Sequence, residues 1–161
     1  MEHKEVIMWV NHFSLLPGDP SVITSFNAVN SGVGGGLTGL VIQSTTTGSE
    51  AQGGGNKVVE KALDIPPGYV IKGVRVGYEN SNVRSFITQV RLAQVQNPPA
   101  TALVLLDDPT HLNAAGPTFA DSAATSIHPA KGPLLLDLRV NFGDTSDRIV
   151  VRGLGLHLEK Q

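Results

Sequence analysis

GPLLLDLRVNFGDTSDRIVVRGLGLHLE, residues Gly132–Glu159, decides the fold class. In its first half Leu134, Leu136, Leu138, Val140 and Phe142 share one parity, while Asp137, Arg139 and Asn141 take the other. In its second half Val150, Leu154, Leu156 and Leu158 share a parity that Arg152 interrupts, with Gly153, Gly155 and His157 opposite. Successive strand side chains point to opposite faces, so each half reads as a strand with one face on a core. One short polar turn, Gly143-Asp144-Thr145-Ser146-Asp147, joins them, and the expectation is a half-buried antiparallel hairpin.

The same pattern recurs upstream. Tyr69 to Glu79 alternates with Val74, Val76 and Tyr78 inward and Arg75 outward; Asn80-Ser81-Asn82 turns the chain. Phe86, Thr88, Val90 and Leu92 then oppose Gln89 and Arg91, which predicts a second long hairpin. Glu5–Val10, Val22–Val29, Leu37–Gln43 and Leu103–Leu106 read as shorter strands, with one more near Ala123–His128. Lys57 to Ile65 fits a helical stripe or a strand, and Pro66 tips it to strand by biasing its predecessor toward extended geometry. Leu15–Pro20, Pro66-Pro67-Gly68 and Asn97-Pro98-Pro99 break the ladder. Asn30 to Gly36 is a glycine-rich loop, and 44–56 holds almost nothing to bury, so it is expected to be mobile and exposed. The sum is an all-β antiparallel sandwich of about eight to ten strands. Its long connections, 44–56 and 107–122, suit jelly-roll or Greek-key crossings.

A chain of 161 residues without a charged or Pro-rich linker reads as one domain, residues 1–161. A net charge of −2 argues against nucleic acid, which needs a positive surface. The absence of cysteine excludes disulfides and thiolate chemistry. The apolar run Val6–Val10 is too short for a secretory signal or a membrane span, so the default expectation is cytoplasmic, compatible also with leaderless export.

Chemistry-bearing residues are sparse. Asp107, Asp108, Asp144 and Asp147 sit in two acidic loops, and calcium takes several oxygens of that kind. The loops fall at one end of the sandwich if a single strand lies between Leu106 and Pro133. Against calcium, aspartates favour turns by bonding their own backbone, and no twelve-residue calcium loop is present. The five histidines are scattered without a His-x-His pair, and Ser126 with His128 lacks a nucleophile elbow. Gly32–Gly36 and Gly53–Gly55 lack the Lys-Ser/Thr ending of a phosphate loop and read as connectors. Glu60 and Glu79 could enter a glycosidase pair only if the fold brought a second carboxylate across a cleft. Phe86 and Phe142 fit the inward parity, which leaves Trp9, Phe13 and Tyr69 as candidate exposed rings. Trp9 is read as a sheet-edge or subunit contact rather than a sugar platform.

Ile71, Ile87 and Leu135 occupy outward parities beside Arg75, Arg91, Asp137, Arg139 and Arg152. With Trp9 they form a candidate interface, because apolar groups on a wet face call for a cover. The leading expectation is a non-enzymatic binding or assembly module acting as a homo-oligomer. The alternatives are a carbohydrate- or calcium-dependent binding domain using the acidic loops, and a small hydrolase.

Overall fold

Alternation sorts side chains between two faces, and the chain answers by stacking two antiparallel sheets on one core. The computed structural model describes residues 5–26 and 39–161. Among them are eleven strands: β1 (Glu5–Trp9), β2 (Leu16–Pro17), β3 (Val22–Phe26), β4 (Leu40–Ser44), β5 (Val58–Leu63), β6 (Tyr69–Asn80), β7 (Phe86–Val95), β8 (Ala102–Asp108), β9 (Thr118–Asp121), β10 (Leu134–Asn141) and β11 (Ile149–Lys160). One sheet runs β3-β4-β11-β6-β9, with β1 beside the far half of β11; the other runs β2-β5-β10-β7-β8. The count exceeds the expected range because β2 and β9, at two and four residues, carry no readable period. The expected loop 30–36 and the outer parts of the strands expected at Val22–Val29 and Leu37–Gln43 lie outside the described residues.

Only β3–β4 and β7–β8 follow one another within one sheet; the other connections cross between sheets. Both expected long hairpins are therefore corrected. β10 pairs with β5 and β7, whereas its successor β11 pairs with β1, β4 and β6 in the other layer. Likewise β6 and β7 belong to different sheets. The reason is that inward parity is the same whether two strands lie edge to edge or face to face. Alternation reports the face and is silent about the layer.

Leu136, Leu138, Val140 and Phe142 from one layer meet Val74, Val76, Leu154 and Leu156 from the other, all essentially without solvent contact. Burying such a side chain stabilises the fold by about 1.5–3 kcal/mol. Four bulges shift the parity along the way, one of them at Leu105 of β8, where the register skips from Leu106 to Val104. Lys72, Thr88 and Arg152 are each the unpaired residue in their strand, as the register skips from Gly73 to Ile71, from Gln89 to Ile87 and from Val151 to Gly153. A bulge turns every residue beyond it to the opposite face. Ile71 and Ile87, expected outward, are consequently fully buried, and Phe86, expected in the core, is half-buried against His111 with ring centroids 4.6 Å apart. The strand expected near Ala123–His128 is reduced to a single bridge, Ile127 to Ile71, and the paired segment is β9.

The connection 44–56 is exposed yet fastened. Lys57 is fully buried, and its ammonium donates to the carbonyls of Thr46 (2.6 Å), Thr47 (3.2 Å) and Gly48 (3.2 Å). Gly48 bridges to Phe142, and the Asp19 carboxylate accepts from the Gln52 amide.

Candidate functional site

One strand, β9, does lie between the acidic loops, and β8 and β10 both run antiparallel to β7, so both loops leave the same end of their sheet. They do not meet at one point. Asp107 stands opposite Arg91, whereas the ladder toward Asp144 ends at Asn141 opposite Phe86, farther along β7 by roughly 16 Å. Each aspartate already has partners. Asp107 accepts from Gln89 and from Arg91 at 3.3 Å. Asp108, buried, accepts the amides of Thr110 (3.0 Å) and Ala123 (2.7 Å); burial pushes its pKa up, but these bonds together with one from the Thr110 side chain outweigh it and hold the pKa below the ordinary value. Asp144 closes a turn onto the amide and hydroxyl of Ser146. Asp147, also buried, accepts from Arg84 Nε (2.9 Å) and the Ser85 hydroxyl (2.5 Å), and the Arg84 bond depresses its pKa.

A calcium ion asks for six to eight oxygens around one point. Among the described residues no group of three or more His, Asp or Glu is arranged to hold a metal ion. With their oxygens engaged by N–H, hydroxyl and guanidinium donors, the four aspartates do not fit a calcium site. Asp147 and Arg84 instead tie together the two crossings, β6–β7 and β10–β11, with Gly143 donating to Ser85 as a further link.

Of the four residues expected at an interface, Ile71 and Ile87 belong to the core, Leu135 is half-buried, and Trp9 is 53% exposed. Trp9 has a neighbour that the sequence did not announce. Its ring centroid lies 5.6 Å from that of Phe119, which is 49% exposed, with the planes tilted by 53°. The register explains how they meet. Trp9 faces Gly155 and Phe119 faces Gly77, while Gly153 and Gly77 face each other between them. With no side chain at these outward positions of β11 and β6, rings from β1 on one side and β9 on the other lean inward over bare backbone. A methyl group on Gly77 would stand 2.6 Å from Phe119, and one on Gly155 3.1 Å from Trp9. Gly153 lies under both rings.

The surroundings are polar and planar. The Arg75 guanidinium lies over the Phe119 ring, 4.9 Å from its centroid. Asp121 is opposite Arg75 on β9 and contacts His157 Nε2 at 2.7 Å; Glu5 lies 3.6 Å from His157 Nδ1. Arg152 donates to Glu79 at 2.5 Å and 2.9 Å. This outer face of the six-stranded sheet thus combines two solvent-facing rings with carboxylate, imidazole and guanidinium groups. Such a surface offers apolar area and a hydrogen-bonding rim together. Trp9 was visible in the sequence as a candidate exposed ring. Phe119 was missed because its strand is too short to alternate, and the signal that could have found the pair is the glycines at outward positions, Gly153 and Gly155 with Gly77.

No protein-family model matches the chain, and no curated protein matches it. Among solved structures it is similar to a carbohydrate-binding module, CBM36, in complex with calcium and xylotriose, with a TM-score of 0.50 and 10% identity over 94% of this chain and 98% of that one. The CBM36-1 domain of a multidomain xylanase from the hindgut metagenome of Trinervitermes trinervoides gives a TM-score of 0.47 and 12% identity over 95% and 96%. At such identity the first likeness is one of fold, the jelly-roll β-sandwich.

Proposed function

We propose that this chain is a carbohydrate-binding domain whose glycan lies along the outer face of the six-stranded sheet. The observation that carries the reading is the Trp9–Phe119 pair, two half-exposed rings set side by side on a glycine floor. A pyranose presents an apolar C–H face and a rim of hydroxyls. Rings take the first, and planar groups such as Asp121, His157, Arg75 and Glu79 take the second. A covering role over bare glycine backbone explains why rings stand here, but it would be met by rings folded flat and shielded. About half of each ring remains open to solvent. The carbohydrate-binding module with a similar fold supports the same reading, and its calcium has no matching donor set among the four aspartates.

Trp9 is the sole tryptophan, so its fluorescence reports on this face alone. Titration with xylotriose and a panel of soluble oligosaccharides, in EDTA and in millimolar calcium, is expected to shift the emission saturably with equal affinity in both buffers. Trp9→Ala or Phe119→Ala is expected to weaken binding about tenfold or more, since stacking on an aromatic ring is worth about 1–3 kcal/mol. No emission change and no heat of binding across the panel would overturn the proposal. Binding that appears only with calcium would transfer it to a metal-dependent site elsewhere.

A further inference from the structure

The opposite outer face, on the five-stranded sheet, holds a second arrangement that the aromatic face does not use. Across neighbouring strands the register sets Glu60, Asp137, Arg91 and Asp107 in one row, with Val58, Arg139 and Gln89 in the next. Between the rows lies an open recess of about 250 Å³ lined by Asn56, Val58, Gln89, Arg91, Asp137 and Arg139. Asp107 engages both Arg91 and Gln89. Arg139 is differently placed. It donates to the Ser49 hydroxyl at 3.3 Å and, among the described residues, has no carboxylate in ion-pair contact. Its Nε, like that of Arg91, is shut off from solvent and has no hydrogen-bond partner. Two residues away on the same face, Asp137 would be the natural counterion, yet it is directed to Glu60 across the strand pair.

A guanidinium without its carboxylate is a ready fork for a planar two-oxygen anion. We propose that this recess binds a small hydroxylated carboxylate, of which a hexuronate is the model, with Arg139 taking the carboxylate and the Asn56 amide and Gln89 side-chain carbonyl serving the hydroxyls. Val58 gives the ring an apolar wall. The site is independent of the aromatic face, which lies on the other sheet.

The charges facing Asp137 are Glu60 from β5, Arg91 from β7 and Arg139 on its own strand, with Asp107 of β8 beyond Arg91. Burial first, then the hydrogen bond and charge of Glu60, push the Asp137 carboxyl up to about 7, and Arg91 opposes this. Below that pH Asp137 is neutral and does not repel an incoming carboxylate; above it the repulsion returns. Binding therefore tightens as pH falls, by about tenfold between pH 8.5 and 5.5, the effect of one unit charge a few ångströms away in a semi-aqueous recess.

The test is an NMR titration of the whole chain with sodium D-glucuronate, with D-glucose and inorganic phosphate as separate arms, at both pH values. Glucuronate is expected to move the side-chain signals of Arg91 and Arg139, tenfold more tightly at pH 5.5, while glucose leaves them unmoved. Arg139→Gln should weaken glucuronate at least tenfold, Asp137→Asn should hold acid-strength binding at both pH values, and Trp9→Ala should change nothing. Glucuronate binding no tighter than glucose, or unaltered by Arg139→Gln, overturns the site, whatever becomes of the aromatic face. Phosphate binding as tightly as glucuronate overturns its carboxylate selectivity.

Discussion

At the scale of single residues, two charged groups are held where solvent does not supply what they need. Lys57 is fully buried, and its three N–H donors are spent on the three carbonyls of Thr46, Thr47 and Gly48 with the Phe142 ring 5.9 Å away. Nothing in the sequence marks Lys57, because a lysine flanking a polar loop normally points to water. Lys57→Met preserves the volume and leaves those carbonyls unmatched, so urea unfolding should show a loss of about 1–3 kcal/mol. Amide exchange in 44–56 should accelerate in the same variant. Asp137 is the second case. Its carboxyl is raised to about 7, so the folded state holds a proton that the unfolded chain has already released above the ordinary value of 3.8. Stability contributed this way is present at acid pH and declines as pH rises from about 4 to about 7. For a half-buried group the screened magnitude is about 1–2 kcal/mol, and Asp137→Asn should flatten that slope in a series of denaturation curves.

At the scale of elements, the alternating runs placed the inward residues of β10 correctly, and likewise those C-terminal to the bulges of β6, β7 and β11, such as Val74, Leu92 and Leu154; they failed on the other side of each of those bulges or where a strand was short. Each of the three left a polar mark on an inward parity: Arg152 and Lys72 as charges in an apolar row, and Thr88 more faintly as a hydroxyl that a strand face tolerates. The parity reading and the structure disagree measurably at Phe86 and Ile87. Ile87→Ala should cost about 2–4 kcal/mol as a core truncation, whereas Phe86→Ala, which loses only a half-exposed stack on His111, should cost about 1 kcal/mol. The acidic loops show the same division between visible residues and invisible pairing. Asp144 behaves as a turn aspartate, so Asp144→Ala should leave the urea midpoint nearly unchanged. Asp147→Ala leaves Arg84 and Ser85 without their acceptor and unfastens two crossings, for about 1–3 kcal/mol by chemical denaturation. Because Arg84 depresses the Asp147 pKa, its contribution is full above the ordinary carboxylate range and lost as pH falls through the lowered value.

At the scale of the whole molecule, the two sheets turn unlike faces outward: one carries Trp9, Phe119 and Ile7, the other the row from Glu60 to Asp107. With Ile71 and Ile87 in the core, the expected interface is reduced to Trp9 and the half-buried Leu135, while Phe13, Leu16, Ile23 and Phe26 are exposed elsewhere. A homodimer built on Trp9 would compete with a glycan for the same rings, which makes the two readings separable. If the face serves a glycan, dilute solution should hold a single particle of 16.9 kDa, and Trp9 emission should be that of a hydrated indole, readily quenched by acrylamide. Saturating oligosaccharide should protect Trp9 from the quencher and raise the melting temperature, since a ligand bound only by the folded state must stabilise it. Phe119→Ala should shift that protection to about tenfold higher oligosaccharide concentration or beyond, without changing the particle mass. A concentration-dependent doubling of mass that shields Trp9 in the absence of sugar would give the face to a second copy of the chain instead.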